Sequence, residues 1–342
     1  MASGRRDWVK FILDHFIWFI ILAVFIFFAI RAEGFLTGLN MINILMHASV
    51  LGLMVIGQTI CLLSGNFDLS AEGTLSLVTT LAAWMMVAKS SWSGGGGWEL
   101  SPLIVIPIIL FVGLGVGWVN GFLITRIGMN NFIVTLAMQL VLRGLAFTLT
   151  KGLYISGLPA LFNWLGSGRI GSIPVQIIFT GLAFVAFNYY LTTTRFGRQL
   201  YAVGGNKFAA HASGFSPKRT VTIAYMLSGI LAAVAGWMLL GRIGESTTQL
   251  GAGLTLETVA ASVIGGVALS GGFGTVGGAL AGVMLLSVID NGLNLMEVDS
   301  FWVNGIRGFI ILVALAIDSQ KFRYKPKRAV EPEKAAATAP AD

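Results

Sequence analysis

Long apolar runs separated by short polar stretches dominate the chain. A helix that crosses the bilayer core needs roughly 20 apolar residues. Runs that reach or approach this length lie near residues 11–30, 43–63, 73–88, 103–125, 131–150, 174–191, 220–240, 257–270, 275–295 and 301–318. The eighth run is short, which favours a re-entrant or broken helix packed inside protein. The pattern predicts an all-α polytopic membrane protein with about ten transmembrane helices, and eight as the conservative count.

Composition agrees with this fold class. Of the 342 residues, 56% are hydrophobic and 11% are charged, and the mean hydropathy is +0.82. A soluble domain carries about 25% charged residues, so a soluble globular protein is excluded. The single cysteine, Cys61, lies in an apolar run and is interpreted as a small buried hydrophobe rather than part of a disulfide framework.

The basic residues indicate an orientation. With both termini cytoplasmic, 15 of the 22 Lys and Arg residues fall on the cytoplasmic side, as the positive-inside rule requires. The 192–220 loop carries five of them and no acidic residue. The net charge of +7 therefore reports membrane orientation and not nucleic-acid binding. We expect residues 1–324 to form one transmembrane domain and residues 325–342 to form a disordered cytoplasmic tail.

Glycines recur at four-residue spacing, which places them on one face of a helix. We interpret this spacing as a sign of tight helix packing, in preference to a solute-lining role. The two sets are Gly113, Gly117 and Gly121, and Gly274, Gly278 and Gly282.

Three charged residues, Arg143, Asp290 and Arg307, lie inside predicted spans. A charge at the centre of a transmembrane helix is costly unless it is paired. Counting along the spans places all three at similar depth, so we predict that Asp290 pairs with Arg307 and, as a second partner, with Arg143. The alternative is that each arginine reaches the membrane surface independently.

The sequence contains no arrangement typical of an enzyme. A Gly-x-x-x-x-Gly-Lys-Ser/Thr phosphate loop is absent. The three histidines show no spacing typical of a metal site or an activated nucleophile. We expect no catalytic residue, cofactor or metal, and if ATP drives this protein, another chain must hydrolyse it.

The 204–217 segment predicts a short helix in a basic loop. Asn206 is a good N-cap, Gly214 a good residue just past a helix end, and Pro217 prevents continuation. A two-turn helix fits between them, with Phe208 to anchor it. Such a helix is typical of a docking element for a partner, and the alternative is an ordinary connector.

Several motifs in order resemble the ribose/xylose/galactose-type ABC permeases. They are Gly65-Asn66-Phe67-Asp68-Leu69-Ser70, Asn131-Phe132-Ile133-Val134-Thr135-Leu136 followed by Arg143-Gly144, the Gly251 to Gly266 run with Glu257, and Gly271-Gly272-Phe273-Gly274-Thr275. The stretch from Ala202 to Gly214 resembles the family's cytoplasmic coupling region. The resemblance covers most of residues 40–320. It implies that ATPase coupling uses Asn206, Lys207, Ala209, Ala210, Ser213 and Gly214.

The chain departs from the family pattern at Glu72, which places a second carboxylate four residues after Asp68. On a helix the two would share a face near its N-terminus. This variant is similar to permeases for nucleosides and branched-chain amino acids, which remain an alternative to a sugar permease. The candidate pathway or structural residues are Asp68, Glu72, Phe132, Thr135, Arg143, Glu257, Asp290 and Arg307.

The resemblance implies a type II-like ABC importer permease in the bacterial inner membrane that moves a small sugar-like solute inward. It implies cytoplasmic ATPase subunits, an external solute-binding protein, a second permease copy or paralogue, and membrane lipid as partners. A weak internal echo favours an inverted repeat, since Asn120-Gly121 and Arg143-Gly144 parallel Asn291-Gly292 and Arg307-Gly308. The rival from another class is an ion-coupled secondary transporter, with Asp68 and Glu72 as its ion site.

Overall fold

A computed structural model describes residues 16–89 and 94–299, and beyond them residues 301–303, 305, 306, 308, 309 and 312. The basic N-terminus, Arg307, the boundary expected at residue 324 and the expected tail at 325–342 lie outside the described residues.

Helices make up most of the described chain, and the strands are four two-residue pieces that form two antiparallel pairs. The helices are α1 (Phe16–Arg31), α2 (Gly38–Leu63), α3 (Ala71–Met86), α4 (Pro102–Phe122), α5 (Asn131–Thr150), α6 (Ala160–Ser167), α7 (Val175–Thr193), α8 (Arg195–Gly205), α9 (Lys207–Ala212), α10 (Pro217–Ile243), α11 (Leu254–Ile264) and α12 (Val276–Leu295). A π-helical turn, Leu123–Ile127, extends α4. The strands are β1 (Ile155–Ser156), β2 (Arg169–Ile170), β3 (Ile173–Pro174) and β4 (Glu245–Ser246).

The first nine predicted spans each contain a helix, namely α1 to α5, α7 and α10 to α12. Within the described part of the chain, six helices are long and apolar enough to cross a membrane: α2, α4 with its π-helical turn, α5, α7, α10 and α12. The helices α1, α3 and α11 are shorter, with 16, 16 and 11 residues. The tenth predicted span, near 301–318, lies mostly outside the described residues.

Helix α10 lies at the centre of the bundle and packs against α2, α3, α4 and α6. Its contact with α4 depends on the spaced glycines, because a Cβ atom on Gly117 would collide with the carbonyl oxygen of Tyr225. A Cβ on Gly121 would lie 2.7 Å from Thr222 Cα. In the second set, a Cβ on Gly282 would collide with the carbonyl oxygen of Ala261 on α11. The prediction of tight packing is confirmed at these positions. The second set does not share one helix face, however, because Gly274 precedes α12, which begins at Val276.

Two non-helical segments interrupt the bundle. We call Ser64–Ser70, between α2 and α3, the first break, and residues 244–253, between α10 and α11, the second break. The second break runs along α3, because Ser76 Oγ donates to the carbonyl oxygen of Thr248 at 3.1 Å. Both α3 and α11 therefore begin inside the protein, where irregular backbone is tolerated only if protein groups satisfy it.

The predicted 192–220 loop contains two helices, of which the sequence predicted only the second, α9. The missed helix, α8, begins where Thr194 Oγ1 accepts from Gly197 N at 3.3 Å. It buries Gly197, Leu200 and Val203 on one side. Its apolar positions at i, i+3 and i+6 form one face of a short amphipathic helix.

Candidate functional site

The carboxylate of Asp68 lies in the first break and is 1% exposed. Its Oδ1 accepts from the backbone N of Ser70 at 2.9 Å and from the Ser70 hydroxyl at 2.6 Å. Its Oδ2 accepts from the Ser228 hydroxyl of α10 at 2.6 Å. Three donors thus satisfy this buried group, as a buried carboxylate requires.

Other polar groups tie the first break to α4 and α10. Asn120 of α4 donates through Nδ2 to Ser70 Oγ at 2.8 Å. The Tyr225 hydroxyl of α10 donates to the carbonyl oxygen of Phe67 at 2.6 Å. The first break is therefore held in one conformation by side chains from two spans, which provides the partners that its own backbone lacks.

Glu72, in the first turn of α3, joins three further elements. Its Oε2 accepts from the backbone N of Gly253 at 3.1 Å and of Thr255 at 3.2 Å, at the start of α11. Its Oε1 pairs with Arg143 Nη2 of α5 at 2.7 Å. The carboxylate thus lies against the positive end of the α11 dipole on one side and a guanidinium on the other. Thr255 Oγ1 also donates to the carbonyl oxygen of Leu69 at 3.3 Å.

The expectation that Asp68 and Glu72 share a helix face is wrong. Helix α3 begins at Ala71, so Asp68 precedes it and only Glu72 belongs to the helix. The Asp68 side chain bonds the backbone two residues on, a local bond that competes with helix formation. The two carboxylates consequently contact different elements, Asp68 contacting α10 through Ser228 and Glu72 contacting α5 through Arg143.

The intramembrane charges pair differently from the prediction. Arg143 pairs with Glu72, whereas Asp290 had been expected as its partner. Asp290 is 3% exposed on α12. Since Arg307 lies outside the described residues, the Asp290–Arg307 pair stays a prediction.

The remaining candidate residues occupy separate places. Thr135 is fully buried and its hydroxyl donates to the carbonyl oxygen of Asn131 at 2.8 Å, within its own helix α5. Phe132, one turn earlier, is 51% exposed. Glu257 is buried in the first turn of α11.

The predicted short helix is present as α9, with the predicted caps. Asn206 Oδ1 accepts from the backbone N of Phe208 and of Ala209, both at 3.0 Å. At the other end, Ser213 Oγ donates to the carbonyl oxygen of Ala209 at 2.9 Å. Gly214 follows with φ of +83°, the left-handed conformation that glycine adopts without strain. The capping prediction is confirmed.

The anchoring residue of α9 was predicted wrongly. Phe208 is 90% exposed and Ala210 is 3% exposed. Ala210 packs in a buried cluster with Cys61, Val203 and Tyr225. Two residues apart on an α-helix is a rotation of about 200°, so burying Ala210 turns Phe208 outward. Of the six residues predicted to couple to an ATPase, Ala210 is buried, and the others, Asn206, Lys207, Ala209, Ser213 and Gly214, are exposed.

Helix α8 rests on the end of α2. A Cβ atom on Gly204 would collide with the carbonyl oxygen of Leu63, the same oxygen that accepts from Gly272 N at 3.0 Å. The Tyr201 hydroxyl donates to the carbonyl oxygen of Gly274 at 2.7 Å. Burial raises the pKa of Tyr201 above its ordinary value, so the phenol remains a protonated donor at neutral pH. The α8–α9 pair is thus in backbone contact with the start of the first break.

Sequence reasoning missed Ser228, Asn120 and Tyr225, which hold the first break. The contact between Asp68 and Ser70 was predictable, because an Asp side chain commonly bonds the backbone two residues on in a turn. Ser228, Asn120 and Tyr225 lie in apolar spans, where a single polar side chain does not indicate which partner it contacts.

Comparison with known proteins gives consistent matches. Residues 40–315 match the family described as the permease component of branched-chain amino acid transport systems. The chain is 33% identical over 325 residues to the ribose import permease protein of Escherichia coli strain K12, which covers 94% of this chain and 98% of the relative. It is 38% identical over 295 residues to the ribose import permease protein of Bacillus subtilis strain 168, covering 86% and 88%.

The galactose/methyl galactoside import permease protein of Escherichia coli strain K12 is 32% identical over 334 residues, which is 95% of this chain and 99% of the relative. No solved structure matches the chain.

Proposed function

This chain belongs to the family of permease components of branched-chain amino acid transport systems, and from that premise we propose that it is the membrane-spanning subunit of a binding-protein-dependent ABC importer for a small sugar. The names of its relatives, which import ribose and galactose, support the sugar class. A separate ATPase subunit supplies the energy, and a solute-binding protein delivers the sugar from outside.

The observation that carries this proposal is that α9 packs on the bundle with its largest side chain facing outward. Asn206 caps the N-terminus of α9 through a hydrogen bond to Phe208 N, and the Phe208 ring is 90% exposed. A large exposed ring beside small residues is a natural anchor for a pocket in a partner. We infer that the ATPase subunit binds here, through Phe208 and the exposed residues Asn206, Lys207, Ala209, Ser213 and Gly214, whereas the buried Ala210 connects α9 to α2.

The contacts suggest how movement of α9 reaches the bundle. Ala210 packs on Cys61 of α2, and Gly204 of α8 touches the carbonyl oxygen of Leu63. Displacement of α9 would therefore shift the end of α2 and the first break, which Asp68 fastens to Ser228 of α10. ATP-driven closure of two ATPases on two permease copies, or on a copy and a paralogue, would shift the population between outward-open and inward-open states.

The arrangement also favours ten spans and an inverted repeat. In both α2–α3 and α10–α11, a long helix is followed by a non-helical break and a shorter helix that begins inside the protein. If α2 runs inward, the intervening spans make α10 run outward, so the two breaks enter from opposite sides. We propose one domain over residues 1–324, with both termini cytoplasmic, in the bacterial inner membrane.

The contacts of the carboxylates disfavour an ion-coupled secondary transporter. Such a protein needs an ionisable group that is free to exchange an ion. Asp68 is engaged by three donors, and Glu72 by two amides and Arg143. We propose that both are structural rather than ion-binding.

An importer for a nucleoside or an amino acid shares every feature of this architecture. The solute that raises the unfolding temperature of the cognate binding protein decides between these classes. Protection by an aldose supports the sugar proposal, and protection only by a nucleoside or an amino acid contradicts it.

Docking at α9 is tested by Gly214→Val, which places a β-branched residue at φ of +83°. This costs on the order of 1 kcal/mol or more and should distort the end of α9. No atom lies within 4 Å of a Cβ added there, so the effect is conformational and not a collision. In proteoliposomes with the ATPase and binding protein, we expect solute-stimulated ATPase activity and uptake to fall at least tenfold, while the unfolding temperature falls by no more than about 2 °C.

Gly214→Asn is the matched control, because Asn tolerates the left-handed conformation far better than Val. It should retain most of the uptake. Wild-type coupling in Gly214→Val would contradict the docking role of α9.

A further inference from the structure

A cavity of about 610 Å³ opens where α7 ends and α10 begins. Among its lining residues are Tyr190, Arg195, Phe196, Gln199, Arg219 and Ile223. It adjoins the C-terminal side of α9 through Gly214, but none of the exposed residues of α9 lines it.

The lining is amphipathic. The rings of Tyr190 and Phe196 stack with centroids 5.7 Å apart and form an apolar wall, which Ile223 of α10 continues. The polar lining residues are Arg195, Gln199, Ser216, Arg219 and Thr220, of which the two arginines are charged.

The positive charge of the cavity has no counter-charge in the described chain. No carboxylate lines the cavity, and the sequence holds no Asp or Glu between Glu99 and Glu245. Within the described residues, neither the Arg195 nor the Arg219 side chain makes a hydrogen bond or an ion pair. Arg198, between them in sequence, differs, because its Nη1 donates to the carbonyl oxygen of Thr193 at 2.9 Å.

The position of the cavity identifies the class of ligand. Helices α7 and α10 are both long and apolar enough to cross the membrane, and the cavity lies beside the last residues of α7 and the first residues of α10, which both contact α8. That is the level of lipid headgroups, where tyrosine rings also collect. Basic pockets between spans at this level suit anionic headgroups, and Arg suits phosphate because it donates two parallel hydrogen bonds.

We propose that this cavity binds an anionic phospholipid, with its phosphate between Arg195 and Arg219 and an acyl chain along the Tyr190, Phe196 and Ile223 wall. The site depends only on the membrane placement of α7 and α10, and not on which solute the protein carries. Lipid bound here would hold the end of α7 against the start of α10 and the adjoining α8.

The test is native mass spectrometry of the purified chain in detergent, titrated with phosphatidylglycerol, phosphatidylcholine or inorganic phosphate. The test variant is Arg195→Gln with Arg219→Gln. The matched control, Arg198→Gln with Lys218→Gln, removes the same charge from the same loop but outside the cavity lining. Because only Arg195 and Arg219 would donate hydrogen bonds directly to the phosphate, we expect the test variant to bind phosphatidylglycerol about 30-fold more weakly.

The control should change less than about threefold, and neither variant should alter phosphatidylcholine binding. If the double variant does not fold, each single Arg→Gln variant should weaken phosphatidylglycerol binding about fivefold. Equal losses in test and control would mean only a net-charge effect and would overturn the site. Saturable binding of inorganic phosphate that displaces the lipid would assign the cavity to a free anion. Loss of the lipid when the ATPase subunit is added would assign it to that partner.

Discussion

The Glu72–Arg143 pair provides the sharpest test of the buried network. Arg143→Met removes the guanidinium 2.7 Å from Glu72 Oε1 and leaves a carboxylate of 5% side-chain exposure with only the amides of Gly253 and Thr255. Breaking a buried ion pair on one side costs roughly 3–5 kcal/mol. The lower end applies here, because the Arg143 side chain is 30% exposed and water already screens part of the attraction.

A double-mutant cycle measures this coupling through thermal unfolding in one detergent. Arg143→Met should lower the unfolding temperature by about 4 °C, the shift that corresponds to about 3 kcal/mol in a chain of 342 residues. Glu72→Gln should cost less, since the amide oxygen still accepts from α11 and Arg143 can turn toward water. The double variant should be more stable than Arg143→Met alone, with a coupling of about 2 kcal/mol.

Arg169→Met is the control, since Arg169 is exposed in β2, and it should change stability by no more than about 0.5 kcal/mol. Strictly additive losses from Glu72→Gln and Arg143→Met would refute the account of Glu72 as the junction of α3, α5 and α11.

Two further predictions concern residues outside this junction. Asp290→Asn should impair assembly, as judged by the monodisperse fraction on size-exclusion chromatography. The double variant with Arg307→Gln should lose less than the sum of the two single losses, and strictly additive losses would exclude their pairing. Cysteine at Ser167 should react with an impermeant maleimide from outside intact cells, whereas cysteine at Ser216 should react only after permeabilisation. Labelling of Ser216 in intact cells would overturn the proposed orientation.

Local features of the molecule were predictable because local interactions determine them. A run of apolar residues buries backbone polar groups only as a helix, so the positions of α2, α5, α10 and α12 followed from the pattern alone. The caps of α9 were equally predictable from the sequence. Asn206 bonds residues two and three positions on, and Gly214 is the left-handed residue that follows the C-cap, Ser213.

Helix α8 and the outward turn of Phe208 were missed for a related reason. The 11 residues of α8 include three glycines, which lower helix propensity, and the segment is too short and polar to be recognised among the apolar runs. A bulky ring in a short helix suggests a packing contact, but the sequence does not show whether the ring packs on its own protein or faces outward. Only the burial of Ala210 against Cys61 and Tyr225 decides that Phe208 faces away.

Apolar runs, composition and motifs were enough to establish that this chain spans a membrane, where most of its helices lie, and which family it resembles. The partners of the buried carboxylates could be identified only from the packing of the helices. Asp68 bonds Ser228 across 160 residues and Glu72 bonds Gly253 across 181. Hydrophobic periodicity and capping act over a few residues, whereas the pairing of a polar group inside a bundle depends on which distant helices meet it, and nothing in the local sequence encodes that choice.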